Sequence, residues 1–185
     1  MIPDMLTNMS EKSSLWVERF LPHIKSGGDV LDLACGRGRH SLLLQAAGYR
    51  VEAVDRDAGA LAEISAKAPA ISARAADLEG DSWPYHGRRF DAIVVTNYLF
   101  RPLFPHLLEA LAANGVLIYE TFMLGNERYG KPSNPEFLLR PGELLDVVRG
   151  RLTVVAFEQG EVATPRPAVV QRLCATKRTE FLLSV

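Results

Sequence analysis

The chain has 185 residues, 48% of them hydrophobic and 23% charged, which is enough to bury one substantial core and calls for no second domain. A formal net charge of −1 gives no global basic field to draw the protein to nucleic acid, and the balance favours a small substrate. No apolar run is long enough to span a bilayer, and residues 1–13 form a polar leader without the basic-then-apolar order of an export signal. Two cysteines far apart, Cys35 and Cys174, suit free thiols in a reducing, cytoplasmic setting, and no metal-ligand spacing occurs.

Taken in chain order, an amphipathic helix is expected within residues 14–25, with Leu15, Phe20 and Leu21 on its apolar side. Strands follow at 29–34, 50–55, 71–76, 90–96 and 115–122, separated for the most part by helices at 39–47, 58–68 and 102–113, the last stopped by Asn114-Gly115. Such alternation builds a parallel sheet with helices on both faces. A helix at 141–149 starts on a proline and stops before Gly150. Two final strands, 152–157 and 169–176, have only a Gly, Thr and Pro connection between them, so they pair antiparallel. The long irregular stretch at 124–140 follows the fifth strand, where functional loops tend to lie.

The richest segment is GDVLDLACGRG, residues 28–38: an apolar strand, an acid and a glycine turn, with a second strand closing on Asp55 one helix later. This βαβ unit suits a nucleoside: Gly36 and Gly38 let backbone approach a ligand, and Asp55 stands where it can accept from ribose hydroxyls. A nicotinamide or flavin fingerprint would put a third glycine at position 41, where this chain has Ser41.

With Asp32-Leu-Ala34-Cys35-Gly36-Arg-Gly38 standing for an acid-x-Gly-x-Gly-x-Gly motif, the chain resembles the class I S-adenosylmethionine-dependent methyltransferases over nearly its whole length. Its one departure is Ala34 for the first glycine. More narrowly, ACGRGRHS and FLLRPGELL are similar to the small tellurite-resistance-type members. The resemblance implies a Rossmann-like, seven-stranded, mostly parallel α/β sheet whose antiparallel seventh strand lies between the fifth and sixth. It also implies S-adenosylmethionine as cofactor, Asp55 with Arg56 beside it at the ribose, Asp77 and Leu78 at the adenine, and Asn97 near the methyl group. Asn97 reads equally as a strand-end turn former.

Among the remaining polar residues, Arg19 is a candidate for the methionine carboxylate of the cofactor or else a surface charge, and Trp16 reads as packing. His40 reads as a solvent-facing helix residue; His86 and His106 receive no role. Tyr98 and Glu120 are candidates for the chemistry, with Arg101, Arg128 and Tyr129 on the acceptor side. A sulfonium donor is already activated, so alignment and exclusion of water are the main demands, and a base is needed only for an acceptor that must lose a proton. The expected function is methyl transfer to a small-molecule acceptor, with the oligomeric state left open. Two alternatives remain: a tRNA or protein methyltransferase, needing a basic face from Arg88, Arg89, Arg101, Arg128 and Lys131, or a noncatalytic nucleoside-binding or partner domain of the same fold.

Overall fold

The protein was analysed as a computed structural model, which describes residues 12–80 and 82–178; residues 1–11 of the expected leader lie outside them. Its centre is β4 (Phe90–Thr96), whose alternate side chains face opposite sides and are nearly all buried. A strand covered on both faces must be apolar throughout, and FDAIVVT is close to that. β1 (Asp29–Leu33) and β5 (Leu111–Phe122) flank it in parallel. β2 (Arg50–Asp55) and β3 (Ser72–Ala75) extend one side, and β7 (Ala168–Thr176) and β6 (Thr153–Val162) extend the other. The order is β3-β2-β1-β4-β5-β7-β6, with β7 antiparallel to both neighbours, as the helix-free connection requires.

One face of the sheet carries Val30, Ala92, Val94, Val116, Ile118 and Cys174 and is covered by α1 (Leu15–Phe20), α2 (Arg39–Ala46) and α3 (Ala58–Lys67). The other carries Leu31, Ile93, Val95, Leu117, Tyr119 and Leu173 beneath α4 (Phe104–Ala110) and α5 (Glu143–Val148). Strand order reverses between β1 and β4, which opens a crevice at the carboxyl ends of these two strands.

The departures from sequence expectation have local causes. α1 is short, buries Trp16, Val17 and Phe20, and leaves Leu15 80% exposed, because the Trp16 indole donates to Leu173 O and so fixes which side faces the sheet. α4 stops at Ala110, since Leu111 is buried in register with Phe90 at the start of the sheet and residues 111–113 continue as extended chain. β6 runs five residues further than expected, to Val162, because β7 offers partners as far as Ala168. Both cysteines are free and buried.

The segment 124–140 is fastened to this frame. Leu124 and Phe122 pair with Leu139, buried Asn126 bridges Pro132 O and Val169 N, and Leu138 and Leu139 are buried. Arg101 forks onto buried Glu143 at 2.7 and 3.0 Å and reaches Glu136 O and Leu138 O. Arg140 also bonds Glu143, through its amide at 2.8 Å and its solvent-facing guanidinium at 3.3 Å, so truncating Arg101 leaves the buried carboxylate with one oxygen unanswered. Arg101→Ala is therefore expected to lower stability by about 3 kcal/mol in urea unfolding, with cofactor affinity held within a fewfold; an unchanged midpoint would return Arg101 to the acceptor side.

Candidate active site

Four αL residues in succession of purpose build the crevice floor: Ala34 at φ 54°, Gly36 at 54°, Gly38 at 78°, and, across the crevice at the end of β4, Asn97 at 56°. Glycine adopts this region freely, whereas a Cβ makes it costly. The Gly36 amide donates to Asp55 Oδ2 at 2.8 Å, Cys35 N donates to Val54 O, and Gly38 N donates to Cys35 O, so the turn is bound to the tip of β2 and to itself. The two glycines differ in what they permit. A Cβ on Gly36 would meet nothing within 4 Å, whereas one on Gly38 would lie 2.6 Å from the Ile64 side chain, so Gly38 serves the packing of α3. Cys35 buries its thiol in the helix-covered core, and burial, then the Asp32 and Asp55 charges, push its pKa up; only its backbone belongs to the turn.

Asp32 is 1% exposed. Its Oδ2 accepts from Ser41 Oγ at 2.5 Å, while Oδ1 has no partner among the described residues. Burial pushes its pKa up to about 6, against the pull of the Ser41 hydrogen bond. In the sequence Ser41 reads only as the place of a missing glycine; in the first turn of α2 it reaches back to the strand acid instead.

Asp55 accepts from Gly36 N and Asp57 N, one bond per oxygen, which leaves lone pairs for further donors. Exposed Arg56 stands beside it, and exposed Asp77 accepts from Glu79 N next to buried Leu78. Asn97 is exposed and donates its amide to Glu120 O. The Tyr98 hydroxyl is buried without a hydrogen bond among the described residues. Burial, then the Glu79 and Asp77 carboxylates, raise its pKa, so the phenol keeps its proton.

His40 reverses the sequence expectation. It is 2% exposed; Nε2 accepts from Ser14 N at 3.0 Å and Nδ1 lies 3.2 Å from Thr96 Oγ1. Since Ser14 N–H is the donor, the ring proton is assigned to Nδ1, and burial, then Arg39, lower the pKa to about 3. Neutral His40 thus ties the chain entering α1 to the end of β4.

Three other candidates are committed to protein partners. Glu120 is paired with Arg172 Nε at 2.5 Å and Arg172 with Glu158 at 3.6 Å, a row set by the registers Thr96–Glu120–Arg172–Glu158. A carboxylate so paired is poorly placed to act as a free base. Arg19 meets Glu158 at 3.1 Å and lies over the Trp16 and Phe20 rings. That puts it over β6, four strands or roughly 19 Å from β1, and the structure does not bring it to the glycine turn. Arg101 is the staple described above. Arg128 contacts Gly125 O, Glu161 of β6 at 3.6 Å and the face of Tyr129; both Arg128 and Tyr129 are exposed, and the Glu161 pair draws Arg128 towards the outer strand. Of the supposed basic face, Arg88, Arg89, Arg101 and Arg128 all have carboxylate partners.

Comparisons with known proteins bear on the fold and on part of the sequence. Residues 30–115 match the family model described as a methyltransferase domain. Protein-L-isoaspartate O-methyltransferase of Chlorobaculum tepidum is 33% identical over 120 residues, which cover 63% of this chain and 53% of that protein, so the alignment spans about half the length of this curated relative. TehB from Haemophilus influenzae superposes with a TM-score of 0.72 at 21% identity, over 88% of this chain and 61% of that one. An S-adenosylmethionine-dependent methyltransferase from Methanosarcina mazei gives 0.70 at 17% identity, covering 91% of this chain and all (100%) of the other. The chain therefore has the fold of these S-adenosylmethionine-dependent methyltransferases, and its residues 30–115 are similar to the methyltransferase-domain model. In fold it is also similar to a TehB-like S-adenosylmethionine-dependent methyltransferase from Corynebacterium glutamicum, with a TM-score of 0.61 at 20% identity over 88% of this chain and 85% of that one.

The cofactor of that class fits the residues present on two observations. Asp32 Oδ1 is a buried acceptor lacking a donor, and the space beyond Gly36 Cα is open.

Two outcomes follow. Ala34→Gly removes a Cβ from an αL position and is expected to raise stability by about 1 kcal/mol, read as a shifted denaturant midpoint. Asp32 titrates at 3.8 ordinarily and at about 6 when folded, so the folded state holds the extra proton and loses stability as pH rises through that window. His40 acts oppositely, its contribution being lost as pH falls from 6.5 towards 3. Asp32→Asn should therefore be more stable than wild type at pH 8, by about 3 kcal/mol, and equal to it below about pH 4. A variant less stable at pH 8 would contradict the burial cost assigned to Asp32.

Proposed function

We propose that the protein binds S-adenosylmethionine in the β1/β4 crevice and transfers its methyl group to a small-molecule acceptor, leaving S-adenosylhomocysteine. The observation that carries this reading is the half-satisfied carboxylate of Asp32, held at a cost in stability beside an open glycine turn. The described residues act as a single methyltransferase domain, with 124–140 beside the acceptor, in a cytoplasm that keeps Cys35 and Cys174 reduced.

When bound, the cofactor supplies an activated methyl group on a sulfonium. Asp32 holds the ammonium of the methionine moiety, and the cation draws the carboxylate into its ionised form. Asp55 accepts from the ribose hydroxyls, Arg56 flanks it, Asp77 and Leu78 hold the adenine, and the backbone of Ala34 to Gly38 lets the nucleoside approach. Asn97, fixed in αL, lies at the end of β4 beside the methyl position. Tyr98 acts as a hydrogen-bond donor, since its proton is retained. With Glu120 held by Arg172, the reaction suits an acceptor that attacks as an anion or loses its proton to water. Arg128 and Tyr129 face that acceptor. Pairing of Arg88 and Arg101 of the alternative basic face with buried carboxylates favours a small acceptor over nucleic acid.

The test is calorimetry with S-adenosylmethionine and S-adenosylhomocysteine, followed by a labelled-methyl screen of thiols, oxyanions, small carboxylates, amines and bulk tRNA. Asp55→Ala should weaken cofactor binding at least tenfold, the cost of about 1.5 to 3 kcal/mol for a charged acceptor, and abolish label transfer in proportion. Unchanged affinity overturns the site, cofactor binding without turnover on any acceptor favours the noncatalytic reading, and label in tRNA alone overturns the small acceptor.

A further inference from the structure

At the opposite edge of the sheet lies a groove that the proposed reaction leaves unused. β7 runs antiparallel, so its end at Thr176 sits beside Val116, within β5, and Thr153, the beginning of β6. Lys177 follows it, Arg89 precedes β4, and Arg151 precedes β6, so three cations from distant parts of the chain converge at the amino ends of the strands. They line a cavity of about 390 Å³ with Pro105, Leu108, Leu152 and Glu109. The run from Val116 to Phe122 puts this groove roughly 20 Å from the carboxyl edge.

Charge in the groove is unbalanced. Glu109 answers Arg89 at 3.9 Å, which is long for an ion pair, and Arg151 and Lys177 have no carboxylate partner there among the described residues. The Lys177 ammonium donates to Leu111 O at 2.6 Å. Burial foremost, then the Arg89 and Arg151 charges, hold the Lys177 pKa below its ordinary value against the pull of Glu109, so all three cations and the one carboxylate feel one another in the groove. Three cations against one carboxylate leave two positive charges over an apolar floor of leucines and proline.

We propose that this groove is a second binding site for an organic phosphate monoester, whose phosphate takes Arg89, Arg151 and Lys177 and whose apolar body lies on Pro105, Leu108 and Leu152. A phosphate monoester carries close to two negative charges at neutral pH, matching the excess, and guanidinium forks suit its oxygens. Glu109 sets the orientation by repelling the phosphate from its own side. The volume falls within the range of small-molecule sites. This inference stands apart from the methyl-transfer reading, because it uses no residue of the crevice.

Phenyl phosphate is the probe, titrated into the whole chain by NMR and calorimetry with inorganic phosphate and phenol as parallel arms. Saturable binding of phenyl phosphate is expected, stronger than either arm, weakening as salt rises, with amide shifts at 108–110, 151–152 and 177 and none at 34–38. Arg151→Gln, an exposed position, should reduce affinity at least fivefold while S-adenosylmethionine binding and thermal unfolding stay unchanged. Lys177→Arg should retain binding. Absence of saturable binding, equal binding of phenol, equal binding of inorganic phosphate, or wild-type affinity in Arg151→Gln would each overturn the proposal.

Discussion

The crevice depends on one hydrogen bond, the 2.8 Å contact from Gly36 N to Asp55 Oδ2. It joins the turn after β1 to the tip of β2, and through Cys35 N on Val54 O the same two strands are held one residue earlier. A turn with three αL residues would otherwise be free to unwind, because left-handed backbone is sustained only where its surroundings over-determine it. Asp55 is thus both the support of the turn and, in the proposed function, a ligand-binding group, so its two roles share a single carboxylate.

Beyond the turn, the face under α1 to α3 is organised by polar side chains in cross-strand register. Thr96, Glu120, Arg172 and Glu158 stand in one row over β4, β5, β7 and β6. The helix α1 is fixed over that row at both ends, by Ser14 on His40 and by Arg19 on Glu158. Burial of an ion pair within a sheet gains little net stability over apolar side chains, yet it penalises any shift of register, since a slipped strand would leave each charge unanswered.

The backbone of this arrangement was legible because its signals are local. FDAIVVT is apolar enough to read as a strand buried on both faces, and 90–96 is where it lies. The helix-free link before 168 could only join antiparallel strands, and the Asp-x-Ala-x-Gly-x-Gly spacing located the turn. The polar side chains were less legible because their partners are chosen across the fold. Arg19 finds Glu158 139 residues later, and Arg101 finds Glu143 through a helix whose placement no local pattern sets. His40 looks like a surface residue in RHSLLLQA until Thr96 and Ser14 close over it. Amphipathic spacing ranks faces of a helix, and it misplaced Leu15 because the indole of Trp16 has a backbone carbonyl to reach.

The fastening of 124–140 bears on how the protein can change over evolutionary time. Its two ends are held by backbone pairing at Leu124 and Leu139, by Asn126 and by Arg101, whereas residues such as Glu127, Arg128 and Lys131 between them are exposed and carry no core packing. Substitutions at such positions alter the outer surface of the segment without altering the packing beneath it. The segment is in this sense a tolerant span between fixed ends, open to change in sequence while the cost to folding stays small.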